Sequence, residues 1–131
     1  MRHIVDMPLF FQLKKGGKKY HINLNNYHTW HYQVRNKLKK EYCKYSYYQL
    51  LANKIFKIER PIKLFFIFCP PDKRKRDRSN ILSIHEKFFC DALVFCGVLK
   101  DDDDSRIVST HYYTSKNKNG LVRIIIQELD H

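Results

Sequence analysis

The residues able to do chemistry are concentrated between Lys73 and Asp104, in KRKRDRSNILSIHEKFFCDALVFCGVLKDDDD. Lys73, Arg74, Lys75, Arg76 and Arg78 surround one carboxylate, Asp77. Lys87 and Asp91 follow, and the run closes on Asp101 to Asp104. Guanidinium and ammonium groups bind phosphate. Carboxylates hold a hard divalent cation, and Mg²⁺ takes only one or two of them beside water and substrate phosphate. If Asp77 and an aspartate of the later run converge on one ion, the centre can activate water for attack on phosphorus. Lys87 would then neutralise charge building on the phosphate or leaving oxygen. The same residues also allow a plainer reading. Lys87 and Asp91 fit an i,i+4 ion pair, the aspartate run fits a solvated turn, and the basic cluster fits a phosphate-contact loop without chemistry.

These residues need elements to position them. Residues 61–69 form a continuous apolar run of strand length that ends at Pro70–Pro71, so the basic cluster leaves that strand as a loop. Residues 79–96 read as a helix. On a wheel, Ile81, Ile84, His85, Phe88, Ala92, Phe95 and Cys96 fall on an apolar flank. Asn80, Ser83, Lys87 and Asp91 form a polar stripe. A helix N-terminus aimed at phosphate adds to the attraction. Gly97 ends this helix, and Val98–Leu99 re-enter the core.

Upstream, residues 4–13 read as one strand with Pro8 at an edge or bulge. Residues 14–19, KKGGKK, are a turn or loop. The stretch 24–54 predicts one long helix with Asn25 or Asn26 as cap. Its apolar positions Trp30, Val34, Leu38 and Tyr42 recur at four-residue steps, while Lys37, Lys39, Lys40 and Lys44 project elsewhere. Downstream, 106–114 and 121–129 read as two strands of a hairpin turning at Asn119–Gly120. The order β-α-β-α-β-β predicts an α/β (α+β) fold, a single small domain whose mixed β-sheet is covered by two main helices.

The 131-residue chain carries a net charge of +12. Asp6, Glu41 and Glu59 are the only acids before Pro70, so the acids gather where the motif lies. Such a charge favours nucleic acid over small-molecule substrates. No apolar run is long enough to span a bilayer, and the first 30 residues lack a signal-peptide core. A soluble intracellular protein without a membrane partner is expected. Cys43, Cys69, Cys90 and Cys96 form no CxxC pair and read as free thiols in a reducing compartment. His28 and His31 lack the Cys or carboxylate partners of a zinc site. His85 reads as a packing residue. His111, Tyr112, Tyr113, Tyr45, Tyr47 and Tyr48 offer base-stacking rings, with packing the preferred use.

Taken together, KRKRDRSN at 73–80, KFFCDAL at 87–93, Gly97 and Asp101–Asp102 resemble the RusA family of Holliday-junction resolvases, small endonucleases carried mostly by phages and prophages. NNYHTWHYQ at 25–33 is similar to that family's N-terminal region. The resemblance implies one nuclease domain over residues 1–131. It implies Asp77 and Asp102 as metal-binding carboxylates, Lys87 as the catalytic-region lysine, and Arg76 as a junction contact beside Lys73, Arg74, Lys75 and Arg78. It further implies Mg²⁺ or Mn²⁺, a homodimer that cuts opposed strands of a four-way junction, and action in the cytoplasm of a bacterial host. Ser79 stands where the family pattern has a second aspartate, and Asp91, Asp101 or Asp103 are the carboxylates available to replace it. The helix between Asn80 and Asp91 is also about one turn longer than in that pattern. Two alternatives stay open: a non-catalytic junction-binding protein of the same fold, and a host-interaction protein whose basic face binds acidic protein.

Overall fold

Ile62, Leu64, Phe66 and Phe68 are buried on one side of their strand, with Lys63, Phe65 and Ile67 part-buried on the other. A strand apolar on both faces belongs in the middle of a sheet, and this one lies there. The structure, a computed structural model, describes residues 1–130. Along the chain run β1 (Arg2–Pro8), β2 (Phe10–Gln12), β3 (Lys19–His21), α1 (Leu24–Thr29), α2 (Tyr32–Ala52), β4 (Ile62–Cys69), α3 (Arg78–Phe95), β5 (Ile107–Thr114) and β6 (Leu121–Glu128). The main sheet has the order β1-β6-β4-β5, and β2 and β3 form a separate ribbon. The expected class holds: a small mixed α+β domain with a mixed sheet.

Several local expectations do not hold. Residues 4–13 are two strands. β1 pairs with β6, whereas β2 belongs to the ribbon with β3, around the loop that contains Gly16 at φ +72°. The long helix is broken. Trp30 has an extended backbone, and the His31 Nδ1 caps α2 by accepting the Gln33 N–H at 3.3 Å. The cap of α1 is Asn23 rather than Asn25 or Asn26, its Oδ1 accepting the Asn26 N–H at 2.8 Å. The 106–129 hairpin does not form either. β4 lies between the two strands, parallel to β5 and antiparallel to β6. The more apolar β4 takes the central place, and the β5–β6 connection passes over its end. At Gly120 (φ +68°) a Cβ would lie 3.4 Å from the Pro71 Cβ.

α2 and α3 pack side by side on one face of the sheet. Leu82, Phe89 and Leu93 are buried together with Ile84, His85, Phe88 and Ala92, because α3 packs against both the sheet and α2. Phe95, expected on the apolar flank, is 83% exposed. The Tyr42 hydroxyl and His85 Nδ1 meet at 2.8 Å between the helices. Since β4 and β5 are parallel, α3 runs back along the sheet as their crossover. No helix among the described residues is long and apolar enough to cross a membrane.

Candidate phosphate and metal site

The basic loop at the start of α3 is tied down by an acid that sequence reasoning passed over. Asp72 accepts two hydrogen bonds from the Arg76 guanidinium, at 2.8 and 3.0 Å, and one from the Arg74 N–H at 2.8 Å. Arg76 also donates to the Arg74 carbonyl at 3.0 Å. The Arg76 hydrogen bonds, followed by the Arg74 N–H, hold the Asp72 carboxyl down to about 2. Arg76 thus staples the loop, while Lys73, Arg74 and Lys75 leave it exposed to solvent. Arg78 crosses to β5, donating to the Thr114 hydroxyl at 3.2 Å. The signal for the staple was in the sequence, as an Asp–Arg pair four residues apart.

Asp77 is the N-cap of α3. Its Oδ1 accepts the Ser79 N–H at 3.1 Å, the Asn80 N–H at 3.4 Å and the Ser79 hydroxyl at 2.9 Å. Two of the first N–H groups of the helix, expected to face phosphate, are therefore taken up by this carboxylate. Ser79 is likewise committed to Asp77. Asn80 Oδ1 accepts the Asn25 N–H at 3.0 Å and so draws the asparagine-rich start of α1 onto α3. Asp77, Asn80, Arg74, Arg76 and His21 line a cleft of about 520 Å³. Burial, then Lys19 and Arg76, lowers the His21 pKa, so this wall tends to stay neutral while its neighbours carry the positive charge.

The remaining predicted residues meet elsewhere. Lys87, Asp91 and Asp102 line a second cleft of about 390 Å³ with Glu86, Cys90 and Asp104. Asp77 lies nine residues before Glu86, which is about 14 Å along a helix axis. The two aspartates expected to share an ion thus line separate clefts. Asp91 pairs with Lys39 of α2 at 3.4 Å rather than with Lys87. Glu86, missed at the sequence level, is held by the Tyr112 hydroxyl of β5. The aspartate run divides its work. Asp101 accepts the Asp102 N–H at 2.8 Å. Asp103 accepts the Ser105 hydroxyl and N–H at 2.5 and 2.9 Å, building the turn into β5, and the Ser105 hydroxyl leads the hydrogen bonds that lower its pKa. Asp102 and Asp104 are left to line the cleft.

This donor set fits a hard cation. Its ionisable oxygens are carboxylates, and its one thiol, Cys90, is pushed up to about 12 by burial and then by Glu86, Asp102 and Asp91, which keeps it protonated. Among the described residues no three His, Cys, Asp or Glu side chains converge closely enough to hold a metal by themselves. A hard ion that needs only one or two carboxylates and completes its shell with water and phosphate matches carboxylate donors of this kind.

The other candidates have local roles. His31 is a helix cap, and His28 lies across the α1–α2 break. His85 is buried in the core, as its position on the wheel predicts; its Nε2 lacks a partner among the described residues. A larger groove of about 940 Å³ runs between α2 and α3, lined by Cys43, Phe88 and Phe95 with Lys39, Lys40 and Lys44. It lacks the Lys87–Asp102 constellation. No family model matches the chain, and neither does any curated protein.

Proposed function

We propose that the chain is a metal-dependent endonuclease of the RusA type that acts on branched DNA, with Mg²⁺ or Mn²⁺ as cofactor. The observation that carries this reading is the layout of α3, with a basic loop at its start and Lys87 beside Asp91 and Asp102 in a carboxylate cleft farther along. A DNA backbone lying along the helix would meet cations at its start and carboxylates with a lysine about 14 Å farther along. Asp102, with Glu86, Asp91 or Asp104, supplies the ion's carboxylates. Lys87 steadies charge on the phosphate. Asp77 holds the loop through Oδ1, and none of its three hydrogen bonds falls on Oδ2. A bound cation would polarise phosphate and lower the pKa of a water. A homodimer with two such sites would cut opposed strands of a four-way junction.

The test is a synthetic four-way junction incubated with Mg²⁺ or Mn²⁺. Paired cuts are expected, and Asp102→Asn and Lys87→Ala should bind the junction but not cut it. If the wild type cuts with neither metal, or Asp102→Asn cuts as well as wild type, the catalytic reading fails. A second reading, junction binding without cleavage, is favoured by the Ser79 hydroxyl bonded to Asp77 and by the separation of the two clefts. Tight, salt-sensitive junction binding with no product would select it.

A further inference from the structure

Both long helices lie on one face of the sheet, and the other face carries a row of apolar and aromatic side chains. Strand alternation sends Val5, Leu64, Phe66, Ile124 and Ile126 to the helices. The intervening residues point away. Ile4, Ile125, Phe65 and His111 are register partners across all four strands, one row from edge to edge. Ile4 is 49% exposed, and Tyr113, two residues beyond His111 on the same side of β5, is 50% exposed.

The rings on this face are ordered. Phe65 and His111 stack with centroids 4.9 Å apart and planes 15° apart, and Phe65 and Tyr113 lie at 6.3 Å and 17°. The Ser109 hydroxyl, 2.9 Å from His111 Nε2, fixes the imidazole. Lys63 and the exposed Arg2 flank the row on one side. On the other, Arg123 pairs with Asp6 at 2.8 Å. Tyr112, the residue between His111 and Tyr113, turns to the helix side and holds Glu86.

Near-parallel rings on an open sheet, bordered by cations, suit unpaired bases. A base stacks on a ring whatever its sequence, and basic residues follow the backbone beside it. We propose that this face binds single-stranded nucleic acid, with bases extending the Phe65–His111–Tyr113 stack and Arg2 and Lys63 meeting the phosphates. A second copy of the chain suits the face less well. Asp6 is the acid among the outward residues of the four strands, and Arg123 already engages it, so a second copy offers Arg2 and Lys63 no free carboxylate on this face. Duplex DNA cannot use the rings, because its bases are already stacked and paired. The site lies across the sheet from the Asp102 cleft and does not rest on the nuclease reading.

Fluorescence anisotropy of the full chain in EDTA tests the proposal without any cleavage. The probes are labelled oligo(dT) and oligo(U) of roughly 15 nucleotides and a duplex of the same length. Tyr113→Ala and Phe65→Leu should each weaken single-strand binding roughly 5- to 100-fold, the range for losing one stacked base. Duplex binding should be unchanged, and Tyr113→Phe should bind like wild type. Preference for oligo(dT) or oligo(U) assigns DNA or RNA, and equal binding means that the site ignores the sugar; each of these supports the proposal. Circular dichroism checks the fold, with the half-exposed Tyr113 as the safer variant. Unchanged single-strand affinity in both variants, or equal losses on duplex and single strand, would overturn the idea. So would a wild-type dimer in sedimentation velocity that becomes monomeric in Tyr113→Ala without loss of single-strand binding, which would mark the face as a self-interface.

Discussion

Asp77 has a structural role that any catalytic test must separate out. Its carboxylate caps α3, and loss of a cap costs about 1 kcal/mol. Asp77→Ala should lower the urea unfolding free energy by about that much, whereas Asp77→Asn, which keeps an oxygen acceptor, should stay close to wild type. The asparagine variant is therefore the one to use in cleavage assays. Asp72 gives a second prediction at this scale. Its folded pKa is depressed, so the stabilisation from its bonds to Arg76 and Arg74 is present above the ordinary carboxylate range of about 4 and is lost as pH falls through about 2. An NMR titration should show the Asp72 carboxyl moving near 2, with the Arg74 amide shifting in the same window. A midpoint near 4 would mean that the staple is absent in solution.

α3 is the element on which the candidate site depends, and its end is as specific as its start. Gly97 at φ +77° lets the Val98 N–H reach the Leu93 carbonyl at 2.9 Å and the Gly97 N–H reach Val94 at 3.1 Å, a Schellman ending that directs the chain toward the aspartate run. An added Cβ would meet no atom within 4 Å, so the penalty of Gly97→Ala is backbone strain alone. It should be about 1 kcal/mol by denaturant unfolding. The contact between α2 and α3 also sets a pH response. Burial holds His85 down to about 3, while in the unfolded chain it titrates near 6.5. Between those values the unfolded chain binds a proton that the folded chain refuses, so stability falls as pH falls, by at most about 1.4 kcal/mol per unit. Tyr42, its hydrogen-bonded neighbour, stays neutral throughout because burial raises its pKa. The slope of unfolding free energy against pH should flatten in His85→Gln, and an unchanged slope would place the acid sensitivity elsewhere.

At the scale of the whole molecule, the +12 charge predicts that the proposed DNA binding would be mostly counterion release. With about 6–10 phosphate contacts, junction affinity should fall roughly 10³- to 10⁵-fold between 50 and 200 mM salt. A nearly flat salt profile would mean that the basic face serves another partner. Much of the architecture was legible in advance. The apolar run of β4, the helix at 79–96 and the mixed α+β class follow from local periodicity, which residues carry wherever the chain goes. The break at Trp30–His31 was not legible, because four-residue spacing continues across it and the interruption lies in one extended residue and a histidine cap. Nor was the pairing of β5 and β6. Asn119–Gly120 is a good turn, but strand partners are chosen by which strand buries both faces, and β4 takes the place between them. By itself the sequence determined the types and clustering of the reactive groups: cations around Asp77, then Lys87, Asp91 and the aspartate run. Only the tertiary structure decided how they divide. α3 runs back along the sheet between parallel strands, so Asp77 at its start stands about 14 Å along the axis from Glu86 in its middle. Asp77 is thus left as a cap in one cleft, and Asp102 joins Lys87 and Glu86 in another.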